Sequence, residues 1–269
     1  MCALPEDALL KANNELNEVP EERAAKTESL RGKIGDLQRR DKLPQNCRTD
    51  DRMLVRFLRG NKFDVDKSLS QYTNYQNFRR KIPGLSVEDL TYDSVKEVLE
   101  TGVFEIVEGK CSTGCQGIIL YPPKWNMQHH KIEQIICAAF YMLEVLFEKH
   151  EDVEIHGIRL LEDFTNFSFF QQLKMEANLL TAGKPIMEFI QEVFPMRLKG
   201  VHLINEPWYV STLIAIIKPF MKQKMRKRIT YHRTNYDELN VYFSPDVLPA
   251  TLGGSQSLAV PLVLQLCRD

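Results

Sequence analysis

Glu162-Asp163 places two carboxylates at the carboxyl end of a predicted strand, where α/β proteins tend to hold their sites. Acid–base or nucleophilic chemistry needs a His or an activated nucleophile beside such acids, and none is paired with them in sequence. The pair therefore reads as an acidic turn at a strand end. Cys111-Ser112-Thr113-Gly114-Cys115 holds the one close pair among six cysteines. Its thiols read as ordinary residues of a turn, because the other cysteines are scattered as in a protein of a reducing compartment. His129-His130 lacks the separation of about three to five residues used by structural zinc sites, so no metal centre is expected. Ala182-Gly183-Lys184-Pro185 puts Pro where a phosphate-binding loop needs a hydroxyl, and G-x-S-x-G, G-x-G-x-x-G and H-E-x-x-H are absent. The chain is read as a binding protein and not an enzyme.

The residues that stand out are cations. Lys218 to Arg228 holds six of them and no acid in eleven residues, in a chain whose net charge is −1. They follow directly on Pro207–Met221, which carries no charge from Trp208 to Ile217. There Tyr209, Leu213, Ile216 and Phe220 form one helical stripe, and Val210, Ile214, Ile217 and Met221 form the next. A surface helix normally has one apolar stripe, so this one is a buried core helix, covers an apolar cavity or meets lipid. Pro219 ends or kinks it just before the cations. Apolar surface beside clustered Lys and Arg fits a membrane interface, where each base near an anionic leaflet contributes about 1 kcal/mol. Arg197 and Lys199 precede a predicted strand and belong near the same edge. No interleaved aromatics or recognised motif support nucleic acid as the partner.

The elements that must position these residues divide at Pro83. Before it lie a polar, helix-prone stretch over 1–48, a helix capped at Thr49-Asp50-Asp51, and another starting at Asp64 or Asp66. In the first capped helix Leu54, Phe57 and Leu58 share one side, which leaves Arg52, Arg56 and Arg59 on the other. After Pro83, Val103–Val107 and Gly117–Tyr121 predict a hairpin. Helices over Ile132–Phe147, Met175–Val193 and Trp208–Met221 then alternate with strands at Ile158–Leu161, Gly200–Asn205 and Ile229–His232. That order implies an α/β fold with a mostly parallel sheet covered by helices. Hydrophobic residues make up 43% of 269 and charged residues 26%, which is ordinary for a globular protein. The first residues lack the pattern of a signal peptide, and no apolar run approaches the roughly 20 residues of a membrane span. A cytoplasmic protein is expected.

Two segments resemble a known family. Arg56-Phe57-Leu58-Arg59-Gly60-Asn61-Lys62-Phe63-Asp64-Val65 is similar to the signature of the helical N-terminal lobe of CRAL-TRIO proteins. Phe194-Pro195 through His202-Leu203-Ile204-Asn205-Glu206-Pro207, then Ile217-Lys218-Pro219-Phe220 and Leu252-Gly253-Gly254, resembles their lipid-binding domain. The resemblance is closest to the branch that includes the α-tocopherol transfer protein, cellular retinaldehyde-binding protein and the clavesins. It implies a helical N-lobe over 1–90 and a CRAL-TRIO domain over 91–254 whose sheet floors a lipid cavity. The remainder, 255–269, departs from the family and has no assigned role. The gate helix implied by the resemblance is Pro207–Met221, marked by Trp208, Leu213, Ile217 and Phe220. The implied cavity residues are Ile136, Ala139, Ile158 and Ile186, with Phe189, Ile190, Leu198 and Val201.

Carried over position by position, the phosphoinositide headgroup site is Arg197, Lys199, Lys218, Lys224 and Arg228. A further basic position of that site is Asn61 here, with Lys62 beside it as a substitute. The stretch Cys137–Leu143 is bulkier and more apolar than in tocopherol carriers, so the expected ligand is tocopherol-like, retinoid-like or another isoprenoid. No cofactor other than a bound lipid is implied. The resemblance implies a monomeric lipid-transfer protein, cytoplasmic and transiently on endosomal or other phosphoinositide-containing membranes. The alternative is a phosphoinositide-responsive sensor or adaptor without net transfer.

Overall fold

The computed structural model describes residues 4–86, 88–256 and 261–268. It begins with five helices: α1 (Glu6–Leu16), α2 (Pro20–Arg39), α3 (Asp51–Gly60), α4 (Val65–Lys81) and α5 (Tyr92–Glu100). Their starts follow from side-chain oxygens that satisfy otherwise unpaired backbone donors. Asp50 accepts from the Met53 amide at 3.1 Å, and Asp64 accepts from the Lys67 amide at 3.0 Å. Thr91 and Ser94 form a reciprocal capping box ahead of α5.

The arginine face of α3 is packed inside the protein. Arg56 and Arg59 are fully buried. The guanidinium of Arg56 reaches Glu144 at 2.9 Å, Glu154 at 3.1 Å and Glu148 at 3.2 Å. Arg59 pairs with Glu18 at 2.8 Å, Glu151 at 2.7 Å and Glu154 at 3.0 Å. Burying two cations is tolerable because each has several carboxylate partners. Removing one partner would leave a charge uncompensated, at a cost of about 3–5 kcal/mol. This network ties α3 to the helices that precede the third strand.

The sheet runs in the order β1-β2-β3-β4-β5. The first two strands, β1 (Phe104–Lys110) and β2 (Gln116–Leu120), form the expected antiparallel hairpin. Helices α6 (Ile132–Lys149) and α7 (Asp152–His156) lead to β3 (Ile158–Asp163), parallel to β2. Next come α8 (Phe169–Glu188), β4 (Leu198–Ile204), α9 (Val210–Ile217), α10 (Gln223–Arg226) and β5 (Ile229–Tyr231), the last two strand pairings again being parallel. Helices α11 (Tyr236–Asn240) and α12 (Leu262–Arg268) follow. Side chains alternate across each strand. Ile118, Ile158, Val201 and Leu203 join the main buried cluster, and Ile119, Leu161 and Ile204 join a second cluster with Leu239 and Phe243.

Two helix boundaries differ from expectation. The helix expected at Met175 starts at Phe169, where Ser168 and Gln171 form a capping box, and its last turn, Phe189–Val193, widens into a π-helix. The helix expected over Trp208–Met221 is shorter. Pro207 stands ahead of α9 and accepts from the Val210 amide at 3.0 Å. Pro219, which lacks a donor, lies in a tight 3-10 turn over Lys218–Phe220.

The C-terminal segment acquires a structural account. Glu105 accepts from the Leu262 amide at 2.9 Å and so caps the approach to α12. Tyr141 donates to the Cys267 carbonyl at 3.3 Å, and Lys149 donates to the Leu266 carbonyl at 2.9 Å. Val263 and Cys267 are buried against the main core. Ser257–Val260, part of the unusual tail, lies outside the described residues.

Candidate functional site

A cavity of about 260 Å³ lies between the sheet and helices α6, α8 and α9. Ile136 and Ala139 of α6 face it, as do Ile158 of β3, Ile186 of α8, Phe189 and Ile190 of the π turn, and Leu198 and Val201 of β4. The eight residues named from the resemblance thus line one cavity, from the sheet and from the helices that cover it. Val210, Leu213, Ile214 and Ile217 of α9 form its lid. Gly183 lets this lid sit close: a Cβ there would come within 3.2 Å of the Ile217 side chain. Trp208 and Phe220 behave differently from Leu213 and Ile217. Trp208 is 82% exposed, outside the cavity, and Phe220 is 41% exposed beside Gly183.

The lid is fastened at both ends by polar contacts that the sequence reading missed. The Gln172 side-chain amide, buried on α8, donates to the Tyr209 carbonyl at 3.0 Å, to Thr212 Oγ1 at 2.5 Å and to Glu176 at 2.8 Å. At the other end the Gln191 amide donates to the Phe220 carbonyl at 3.0 Å, while its oxygen accepts from the Lys222 amide at 2.7 Å. Each bond contributes about 1 kcal/mol. Outside it, Phe169, Phe170, Leu173 and Trp208 expose about half or more of their surface. The ring of Tyr209 joins this patch, meeting Phe169 and Trp208 edge-on at 5.6 Å each.

The basic residues gather where the lid ends. The Lys224 ammonium is held below its ordinary pKa chiefly by Arg228, then by partial burial, Lys62 and Arg197. Burial and Arg197 also lower Arg228, and burial with Arg197 lowers Lys199. These groups raise one another's cost of being charged, so an anion placed among them relieves the repulsion. One anion is already present. Glu15 of α1 lies 2.7 Å from Arg197 and 3.8 Å from Lys199, and its carboxyl is held below the usual range, first by the Arg197 hydrogen bond. Lys218 is exposed at the start of the 3-10 turn and is not among the charges acting on Lys224. Asn61 uses its side-chain amide on the Phe57 carbonyl at 3.0 Å and on Gln71 at 2.6 Å. Lys62, by contrast, acts on Lys224.

Cavity and cations meet within α10. Met225 is buried in the cavity wall, while its neighbour Lys224 belongs to the cation cluster. The Arg226 guanidinium donates to the Lys218 carbonyl at 2.9 Å and the Met221 carbonyl at 3.1 Å, joining α10 to the end of the lid. Among the described residues, no helix is long and apolar enough to cross a membrane.

The CRAL/TRIO domain family matches residues 100–254 of this chain. The chain is 31% identical over 255 residues to an alpha-tocopherol transfer protein-like protein of Mus musculus, covering 95% of this chain and 72% of that one. It is 34% identical over 265 residues to clavesin-1 of Rattus norvegicus, covering 94% and 70%. Among solved structures it resembles Sfh5, with a TM-score of 0.55 and 13% identity over 81% of this chain and 83% of that one, a likeness of fold alone. Fold, apolar cavity and sequence kinship agree, and the chain belongs to the CRAL-TRIO family of lipid-binding proteins.

Proposed function

We propose that the chain is a cytoplasmic, monomeric lipid-transfer protein that encloses one hydrophobic ligand and exchanges it at phosphoinositide-containing membranes. The observation that carries this reading is α10, one turn that supplies Met225 to the cavity wall and Lys224 to the cation cluster. Burying a ligand removes its surface from water at about 25 cal/mol per Å², so several hundred Å² correspond to about 10 kcal/mol. Release then requires α9 to move. A headgroup that binds the cations more tightly when the lid is open shifts the balance towards release, since a ligand acts only through differential affinity. The exposed ring patch of Phe169, Phe170 and Trp208 supplies apolar contact with the bilayer beside the charged contact. Within this reading, 1–90 and 91–254 are the two lobes, and the cargo is a tocopherol-like, retinoid-like or other isoprenoid lipid.

The test is transfer of a fluorescent lipid between vesicles, with and without phosphoinositide in the acceptor. Replacing Lys224→Ala together with Arg228→Ala is expected to slow transfer to phosphoinositide vesicles about tenfold or more, at roughly 1 kcal/mol per base. Unchanged transfer sinks the docking half of the proposal. Recruitment to the vesicles without net transfer favours a sensor or adaptor instead.

A further inference from the structure

Glu162 occupies a position that the carriage mechanism does not use. It follows Ile158 and Leu160 on the inward row of β3, and its strand neighbours are Leu120 on β2 and Leu203 on β4. All four of these residues line the cavity. The carboxyl is enclosed by protein, its remaining free surface faces the cavity, and among the described residues it has no hydrogen-bond or ion-pair partner. Burial alone pushes its pKa up to about 7. The wall around it, from Ile136 and Leu143 on α6 to Met175 and Leu179 on α8 and Leu213 on α9, is apolar. A buried polar group without a partner is costly and uncommon in folded proteins. Here the missing partner has room to arrive with the cargo.

We propose that Glu162 selects the cargo, accepting a hydrogen bond from the hydroxyl of a neutral lipid alcohol whose hydrocarbon body fills the rest of the cavity. This rests on the reading that the cavity holds a lipid, and it names the class. A hydroxyl both donates and accepts, so it satisfies Glu162 in either protonation state. An ammonium head would bring three donors to a wall with one acceptor group, leaving donors unpaired and burying an ion pair in an apolar site at a desolvation cost. A fatty acid would set two carboxyls together, one of which must keep its proton. An aldehyde, ester or ether offers only acceptors, which suit Glu162 only while it is protonated.

Binding of tritiated farnesol and tritiated farnesyl methyl ether to the full chain at about pH 8 tests this, since Glu162 is then mostly ionised and the ether cannot donate. Wild type is expected to prefer the alcohol about tenfold, the scale of one hydrogen bond to a charged acceptor. Glu162→Leu should bind both equally, and Glu162→Gln should restore part of the preference. Equal binding by wild type, or a preference that survives in Glu162→Leu, overturns the assignment while carriage stands. If no variant binds either probe, carriage falls and the assignment falls with it. Thermal melts of the variants separate loss of binding from loss of fold.

Discussion

On the face of the sheet away from the cavity, most buried polar groups are joined to one another; on the cavity face, among the described residues, the Glu162 carboxyl has no hydrogen-bond or ion-pair partner. The contrast is sharpest at Glu162 and Asp163, adjacent residues that β3 sends to opposite faces. Asp163 accepts from the Thr165 amide at 2.9 Å, the Thr165 hydroxyl at 2.7 Å and the Asn205 amide at 3.0 Å. Beside it, Arg159 lies 3.2 Å from His202 Nε2, and His202 Nδ1 lies 2.9 Å from His232 Nε2. Arginine can only donate, so His202 carries its proton at Nδ1 and passes a hydrogen bond on to His232. Burial, with Arg159 and His232 nearby, pushes His202 down to about 3, so it stays neutral in this network. One face has polar groups that largely pair with each other, although Arg159 Nε and His232 Nδ1 are left without a hydrogen bond. The other presents a buried carboxyl to an apolar cavity.

The largest expected effect tests that division directly. Asp163→Ala removes an acceptor and strands the Thr165 and Asn205 donors, which should cost about 3 kcal/mol in chemical denaturation. Glu162→Leu should be neutral or stabilising in the ligand-free protein, because it replaces an unpaired buried acid by an apolar residue. A similar loss in both variants would erase the distinction between the faces. A smaller effect appears with pH. Glu162 has a folded pKa raised to about 7 from 4.5, so its protonated form is the one compatible with the fold. Its full contribution is present below about pH 4.5 and is lost as pH rises towards and through about 7. Tyr231 on β5 is the titratable group that responds to Glu162, while the residues facing the acid from β2, β4, α6, α8 and α9 are apolar. Ligand-free wild type should lose about 2 kcal/mol across this window relative to Glu162→Gln, after allowing for water in the cavity. Parallel pH profiles would show that the acid is solvated or partnered. The smallest effect concerns the lid. Gln172→Leu removes its N-terminal fastening and should speed lipid release about fivefold, with little change in melting temperature; an unaltered rate would place the barrier elsewhere.

Most of the architecture was legible because strands and helices announce their periods. The hairpin, the order of strands and helices and the apolar stripes of α9 follow from alternation and from paired stripes. The cation cluster was legible as composition. Arg56 and Arg59 were not, because helical spacing assigns them a face but says nothing about what covers it. Their carboxylate partners lie 41 to 98 residues away in the chain. The same limit hid Gln172 and Gln191, whose roles depend on where α9 comes to rest. It also hid the difference between Glu162 and Asp163. Their adjacency suggested one acidic turn, yet a strand turns neighbouring side chains to opposite sides.

The two tryptophans of the chain sit in opposite surroundings. Trp125 is buried in the cavity wall with its indole N–H on the His130 carbonyl at 2.9 Å, whereas Trp208 is 82% exposed ahead of the lid. An indole emits at shorter wavelength when water is excluded, so the fluorescence spectrum contains two separable colours. A change in the blue component would report on the cavity wall, and a change in the red one on the outer edge of α9. Substituting either indole by Phe isolates the other, so the two regions can be followed separately in one unlabelled sample.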